Sequence, residues 1–135
     1  MKPATAASDV DIVERAVRAV GALDIGEARR LLADDLVLEL PFRSGGHPRT
    51  LIGDDAHAFM ALLPKIFLRM DFTEVIVHGA TSSGVIAAEY VSNGMTKAGV
   101  AYCNAYAAFF DVRDDKITRW REYFNPEVIV AAGLG

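Results

Sequence analysis

The chain has 135 residues, of which 52% are hydrophobic and 24% charged, and its net charge is −4 at pH 7. This composition indicates one soluble globular domain over residues 1–135. Nucleic acid is not a predicted partner because the chain has no basic tract, and a membrane is not predicted because it has no apolar run of roughly 20 residues. The single cysteine, Cys103, cannot form an internal disulfide, and the polar start Met1–Ser8 lacks the apolar core of a signal peptide, so a cytoplasmic protein is expected.

Helical periodicity begins near the N-terminus. Ser8 is the predicted N-cap of a first helix, whose apolar residues recur at spacings of three and four: Val13, Ala16, Val17 and Val20. A shorter second helix follows, and Asp24 with Glu27 forms the capping box that starts it. Its end is predicted at Asp34 and Asp35, because acidic side chains oppose the helix dipole at a C-terminus.

A strand and a third helix follow. Residues Leu36–Phe42 have the composition of a strand, and the loop after them contains glycine, proline and His47. The third helix begins near Asp54 and places Phe59 on its apolar side. It is expected to kink or restart at Pro64, because proline lacks a backbone donor.

The second half of the chain changes to strands joined by short turns. Four strands are predicted, followed by a final helical turn: Phe72–Ala80, Val85–Ser92, Val100–Val112, Ile117–Phe124 and then Glu127–Ala132. Helices followed by hairpin-linked strands predict an α+β fold, with a curved antiparallel sheet wrapped around three helices as a cystatin-like α+β barrel. A ligand would bind in the cone-shaped space between sheet and helices.

The alternation of side chains separates two faces of this sheet. The even-numbered positions are aromatic with a few polar groups, which is typical of a small-molecule pocket: Tyr90, Tyr102, Asn104, Tyr106, Trp120, Glu122 and Phe124. With Phe42 at the mouth and Phe59 on the third helix, they are the predicted contacts of a hydrophobic, cyclic ligand. A bulge in any strand would exchange that strand's faces.

The odd-numbered positions form a flatter face with small and charged residues: Ala87, Glu89, Val91, Cys103, Ala105, Ala107, Phe109, Ile117, Arg119 and Arg121. Such a face favours packing against another sheet, most simply that of a second copy of the chain. A homodimer through the outer sheet face is therefore predicted.

Glu122 is the strongest candidate for chemistry, because it lies between Trp120 and Phe124 on the inward face. Burial against aromatic rings raises the pKa of a carboxyl group toward neutrality, as general acid–base catalysis requires. The alternative is a structural carboxylate bonded to Asn104 or to a tyrosine.

His57 and Tyr106 are the other candidate catalytic residues. His57 lies on the third helix and is either a proton carrier or a helix-surface residue near Asp54. Tyr106 is either a hydrogen-bond donor in the pocket or an ordinary core aromatic. The three histidines share no metal-ligand spacing with a carboxylate, and there is no Gly-rich phosphate loop, so neither a metal nor a cofactor is predicted.

Two groups of motifs resemble known families. Asp24–Ala28 through Ala33–Asp35, with Glu39–Phe42, resembles the front half of ketosteroid-isomerase-like proteins, and Asp115–Ile117 with Trp120–Pro126 resembles a SnoaL-like domain. Both belong to the nuclear transport factor 2-like superfamily. The resemblance implies a curved sheet packed on three helices, often dimeric through the outer face of the sheet. It is specific for the fold, because the superfamily includes isomerases, cyclases, hydrolases, dehydratases and non-enzymes.

The residues of known active sites are only partly present. The ketosteroid isomerase base corresponds to Leu40, and its oxyanion-binding residues correspond to Ala16 and Tyr106, so that mechanism is not implied. Limonene epoxide hydrolases have an acid at the Glu122 position, but the inward residues of the neighbouring strand are Tyr90 and Ser92 instead of arginine and aspartate. Phenazine-biosynthesis A/B proteins resemble the chain in an acid–base glutamate at Glu122 and a histidine near His57.

The predicted function is binding of a hydrophobic, cyclic small molecule with cofactor-free acid–base chemistry of the isomerase, cyclase or dehydratase type. Glu122 is the predicted proton carrier. A non-catalytic ligand-binding protein and a dimeric protein-interaction module are the alternatives, because a single carboxyl group without a clear partner also fits binding alone.

Overall fold

The structure is a computed structural model that describes residues 6–135. In this range the elements follow the order α1 (Ala6–Gly21), α2 (Ile25–Leu31), β1 (Leu32–Glu39), β2 (Thr50–Ile52), α3 (Asp54–Ile66), β3 (Phe67–Arg69), β4 (Phe72–Val77), β5 (Ile86–Ser92), β6 (Gly94–Thr96), β7 (Ala101–Tyr102), β8 (Ala105–Arg113), β9 (Lys116–Phe124) and α4 (Pro126–Ala131). The expectation for Met1–Ser8 lies mostly outside the described residues. Since α1 begins at Ala6, Ser8 lies inside it and is not its N-cap.

Six strands form one curved sheet in the order β2-β1-β9-β8-β5-β4, and β3, β6 and β7 form a second, smaller sheet. The predicted α+β class is confirmed. Neighbouring strands of the large sheet are antiparallel except β1 and β9, which run parallel, so the sheet is mixed. The prediction missed this pair because hairpins fix only the directions of consecutive strands, whereas most of the chain separates β1 from β9.

Helix α1 packs on the concave face of the sheet through the apolar stripe that its spacing predicts. Val13, Ala16 and Val17 are completely buried. Where the helix ends, Gly21 lies so close to Phe72 that an added Cβ would come within 2.5 Å of the phenylalanine Cβ. A glycine here therefore allows Phe72 to pack under the helix and toward the cavity of the sheet.

The boundaries of the next elements differ from the prediction by a few residues. The Asp24 carboxylate accepts a hydrogen bond from the backbone N–H of Glu27 at 3.2 Å, as its capping role requires. Helix α2 ends earlier than predicted, and Asp34 lies in β1, where Arg29 donates to its carboxylate at 2.7 Å. Pro64 lies in the last turn of α3 and does not end that helix before Ile66.

Two irregularities in the strands that carry the site differ from the prediction. The predicted strand Val100–Val112 is interrupted after Tyr102, and the side chain of Asn104 accepts the backbone N–H of Ala105 at 2.9 Å. The register of β8 and β9 shifts next to Asp111, which turns Ile117 into the core. The prediction that Ile117 lies on the outer face is therefore wrong, because a bulge changes the parity. Within residues 6–135, every helix is too short or too polar to span a bilayer.

Candidate active site

A cavity of about 290 Å³ lies between the concave face of the sheet, α3 and the C-terminal segment. Apolar side chains from α1, α3 and the sheet make up most of its wall, and Glu122 is the acidic side chain among its lining residues. His47, Leu62 and Gly135 line the cavity and are also exposed, so they mark its opening. An enclosed apolar cavity with few polar groups is typical of small-molecule sites.

The register of the sheet places Glu122 in a row of small residues. Glu122 on β9 pairs with Ala108 on β8, which in turn pairs with Ala88 on β5. Large aromatic rings occupy the rows on both sides: Trp120 with Phe110 in one, and Phe124 with Tyr106 and Tyr90 in the other. The methyl groups of the two alanines leave the space into which the glutamate side chain extends.

Tyr90 is the hydrogen-bond partner of Glu122, and its hydroxyl donates to Oε2 of the carboxylate. The two residues lie two strands apart, a backbone separation of about 10 Å that only long side chains can bridge. Within the described residues, Oε1 of Glu122 accepts no hydrogen bond. This second carboxylate oxygen is therefore available to a molecule in the cavity.

Burial raises the pKa of Glu122 from 4.5 to about 7, and the hydrogen bond from Tyr90 and the nearby indole of Trp120 limit the rise. Glu122 is partly accessible, and because it lines the cavity this accessible surface faces the cavity. Burial, followed by the charge of Glu122, holds the pKa of Tyr90 well above 10.0. Tyr90 therefore keeps its proton, and the carboxyl group is the member of the pair that can exchange one near neutral pH.

Trp120 brings an unused donor to the same place. Its side chain is 1% exposed and lines the cavity, and its indole N–H makes no hydrogen bond to any described residue. The N–H lies close enough to Glu122 to lower the carboxyl pKa, although it does not reach hydrogen-bonding geometry. A buried donor without a partner costs free energy that an oxygen atom of a bound molecule would recover.

A second donor comes from three linked hydroxyl groups. The Tyr106 hydroxyl lies 2.9 Å from that of Tyr102 and 3.1 Å from that of Ser92. The three hydroxyl groups have three protons, and the two hydrogen bonds between them use two. One proton therefore has no acceptor within this group. The Tyr102 hydroxyl accepts from Tyr106 and from the Asn104 amide and lines the cavity, so its own proton is available to an acceptor there.

Both of these tyrosines keep their protons at neutral pH. Burial, the largest cause, raises the pKa of Tyr102 to about 12, and it also raises that of Tyr106. The pair is therefore a hydrogen-bond donor and not a base.

The structure brings most of the predicted site residues together. Six of them line the cavity: Phe59, Tyr102, Tyr106, Trp120, Glu122 and Phe124. Tyr90 lies behind this wall and reaches the site through its hydroxyl, so it supports Glu122 instead of forming the predicted wall contact. The alternative partners named for Glu122, Asn104 and Tyr106, do not bond to it.

Asn104 does not line the cavity, contrary to its predicted ligand contact. Its amide group donates to the Tyr102 hydroxyl and to the Asn125 carbonyl, both at 3.1 Å. Its side-chain oxygen accepts the backbone N–H groups of Ala105 and Asn125 at 2.9 and 3.0 Å. Four hydrogen bonds use all of its polar capacity, so Asn104 positions Tyr102 across the break between β7 and β8.

Two further predicted residues lie outside the cavity wall. Phe42 is 52% exposed and packs edge-on against Tyr123 on the outer side of the sheet, because the chain turns after β1 ends at Glu39. His57 is on α3, but its Nε2 lies 2.9 Å from the backbone oxygen of Ala33 on β1. Since a carbonyl only accepts, Nε2 of His57 carries a proton that is directed away from the cavity.

Several cavity residues were not among the predicted ligand contacts. Met60, Leu63 and Phe67 lie at helical spacing on and after α3, and this spacing could have identified them as one apolar face. Arg43 and His47 lie in the loop after β1, where the sequence contains no periodicity that would predict which way they face.

Comparisons with known proteins agree with this architecture. The sequence profile of the SnoaL-like domain matches residues 13–120. YesE, an uncharacterized protein of Bacillus subtilis (strain 168), is 28% identical over 111 residues, which is 81% of this chain and 76% of that protein.

Two solved structures share the fold over nearly the whole chain. One, described as a candidate isomerase from Bacillus subtilis, is 24% identical with a TM-score of 0.83, and the match covers 93% of this chain and 92% of that one. The other, described as a candidate polyketide cyclase from Xanthomonas campestris pv. campestris, is 26% identical with a TM-score of 0.76, and the match covers 93% and 96%. The profile match covers well over half of the residues, and the chain belongs to the SnoaL-like family of the nuclear transport factor 2-like superfamily.

Proposed function

We propose that the cavity binds a hydrophobic, cyclic small molecule and that Glu122 transfers a proton to or from it, in cofactor-free isomerase-, cyclase- or dehydratase-type chemistry. The observation that carries the proposal is the arrangement at Glu122: one carboxylate oxygen is held by Tyr90, and the other is open to an apolar cavity. Membership of a family with isomerase- and cyclase-type structural relatives supports the same reaction class.

The polar groups around Glu122 fit abstraction of a proton from carbon next to a carbonyl group. The carboxylate accepts the proton, and negative charge then develops on the carbonyl oxygen. The indole N–H of Trp120 and the spare proton of the Tyr102–Tyr106 pair are donors for that oxygen. Of the predicted catalytic residues, Tyr106 thus has a donor role, whereas His57 is bonded to β1 and takes no part in this step.

Trp120 provides a direct measurement of ligand binding, because it is the only tryptophan in the chain and lines the cavity. Steroid-like and polyketide-like ring compounds are expected to change its fluorescence and to raise the melting temperature. A Trp120→Phe variant should lose the fluorescence change and keep a reduced thermal shift, because it removes the indole N–H donor but leaves the other cavity residues in place. If no compound in such a panel produces either change, the proposed ligand class is wrong.

Proton transfer is tested on the cyclic ketones that bind. In D₂O the protein should accelerate exchange of the protons next to the carbonyl group, which proton NMR detects as loss of their signals. Binding without any acceleration would contradict the proposed catalysis and support the non-catalytic binding protein.

The outer face of the sheet supports a further proposal, that of a homodimer. Phe109 is 36% exposed there and contacts Tyr123, next to the exposed positions Ala105 and Ala107. The opposite charges on this face are paired within the chain, since Glu39 accepts hydrogen bonds from the two outer arginines of β9. An apolar centre with internally paired charges fits a two-fold contact between identical sheets.

Substitution Ala105→Arg is expected to convert the dimer into a monomer, because it places an unpaired charge at the centre of this contact. Light scattering on a sizing column measures the mass directly. Ala61→Arg, at an exposed position on α3, is the matched control and should keep the dimer mass. A monomeric native protein would refute the proposal, and so would a dimer that is unaffected by Ala105→Arg.

A further inference from the structure

Arg43 is held in a defined position at the mouth of the cavity. Its guanidinium carbon lies 5.0 Å from the centre of the Phe59 ring, and one of its terminal nitrogens donates to the Pro48 carbonyl at 2.9 Å. The backbone is fixed as well, because its N–H donates to Leu40 and its carbonyl accepts from the Arg49 side chain, both at 3.0 Å. The side chain lines the cavity and is only partly exposed.

The positive charge of Arg43 has no carboxylate partner among the described residues. Six other arginines do have such partners: Arg15 and Arg30 with Glu27, Arg18 with Glu14, Arg29 with Asp34, and Arg119 and Arg121 with Glu39. Arg49, Arg69 and Arg113 resemble Arg43 in having none within residues 6–135, but they do not line the cavity. Loss of water around the Arg43 guanidinium lowers its pKa. Of five N–H donors, one is used by Pro48, so the others are available to an acceptor in the cavity.

The carboxyl group of Glu122 and the guanidinium of Arg43 both line the cavity and lie at different depths in it. Glu122 bonds to Tyr90, which is 1% exposed, so this carboxyl group is deep in the protein. Arg43 lies beside the exposed His47, at the opening. The apolar stretch of the cavity wall includes the side chains of Leu40, Phe59, Leu63 and Phe124.

We infer that the ligand is a ring compound that carries a carboxylate, and that Arg43 binds this carboxylate at the mouth while the ring fills the apolar stretch. The inference rests on the proposed function, since it names the ligand class of the same cavity. A single guanidinium matches a singly charged carboxylate, with which it forms paired N–H···O bonds. The cation–π contact with the Phe59 ring helps to hold the guanidinium at the mouth for such a pair.

Calorimetric titration with 2-naphthoate and its neutral, nearly isosteric amide, 2-naphthamide, tests the inference. The wild type is expected to bind the acid about tenfold more tightly than the amide, the effect of one charge-assisted hydrogen-bonded pair. Arg43→Gln should weaken binding of 2-naphthoate to about the level of the amide, with a much smaller effect on 2-naphthamide, which carries no charge for Arg43 to pair with. Arg43→Lys, which keeps the charge without the planar fork, should keep part of the preference.

Arg30→Gln is the matched control, because Arg30 lies on the exposed surface of α2 and its side chain is 80% exposed. It should retain the full preference, and circular dichroism should show the same fold in all variants. Two results would overturn the inference and leave the proposed function standing. One is equal binding of both compounds by the wild type, and the other is a preference for 2-naphthoate that persists in Arg43→Gln. If neither compound binds, both the proposed function and the inference fail.

Discussion

Glu122→Gln is expected to slow the protein-dependent deuterium exchange of bound cyclic ketones by about 10²- to 10⁴-fold, the usual contribution of a general base. The amide has nearly the same shape as the carboxyl group, and its oxygen can accept the Tyr90 hydrogen bond that Oε2 accepts in the native protein. Ligand binding measured by thermal shift should therefore persist in the variant. A loss of exchange with retained binding would identify Glu122 as the group that takes the proton.

The pH dependence of exchange separates a catalytic carboxyl group from a structural one. The rate should rise as Glu122 ionises, with a midpoint near its pKa of about 7. Tyr90→Phe removes a hydrogen bond that lowers this pKa, so the midpoint should move to higher pH. Tyr123→Phe is the matched control, because that hydroxyl accepts from Arg121 on the outer face and does not contact Glu122. If Glu122→Gln leaves the rate of deuterium exchange unchanged, Glu122 is not the base.

Glu122→Gln is also expected to change how the free energy of unfolding depends on pH. The pKa of Glu122 is about 7 in the folded protein against an ordinary value of 4.5, so the folded state holds a proton that the unfolded state has lost between these values. Below pH 4.5 Glu122 is protonated in both states and makes its full contribution to the free energy of unfolding. This contribution is lost as the pH rises through 7. A tenfold change in a proton equilibrium corresponds to about 1.4 kcal/mol, so the loss is on the order of 3 kcal/mol.

Urea unfolding of the wild type and Glu122→Gln between pH 4 and pH 8 measures this difference. The two proteins should be similar in stability at the acid end, and the variant should be more stable by on the order of 3 kcal/mol at pH 8, since glutamine carries no charge to bury. Glu127→Gln, at an exposed position on α4, should follow the wild-type curve. Parallel curves for wild type and Glu122→Gln would show that burial does not raise this pKa.

Local sequence patterns were sufficient for the fold class and for the central residue of the site. Spacings of three and four placed the buried face of α1 at Val13, Ala16 and Val17. Alternation along β8 and β9 placed Tyr106, Trp120 and Glu122 on the cavity side. These properties depend on neighbours within one helix or strand, where side-chain direction repeats with a fixed period. The same patterns predict burial of Glu122 between aromatic rings.

The partners of these residues depend on contacts between distant parts of the chain. Tyr90 reaches Glu122 only because β5, β8 and β9 align the small residue Ala108 between them. The bulge beside Asp111 reversed the predicted direction of Ile117, and no local pattern indicates where a ladder will lose register. Alternation also cannot be extended beyond the end of a strand, so the predicted mouth residue Phe42 lies outside the cavity.

The loop after β1 shows this limit most clearly. Local sequence identified it as a turn with glycine and proline, but gave no direction for Arg43. Packing against Phe59 and the bond to the Pro48 carbonyl turn its guanidinium to the cavity mouth. The sequence by itself thus determined which face of each element is buried and that a carboxyl group lies among aromatic rings. Tertiary structure decided which groups meet there, because strand register and loop packing depend on residues far apart in the chain.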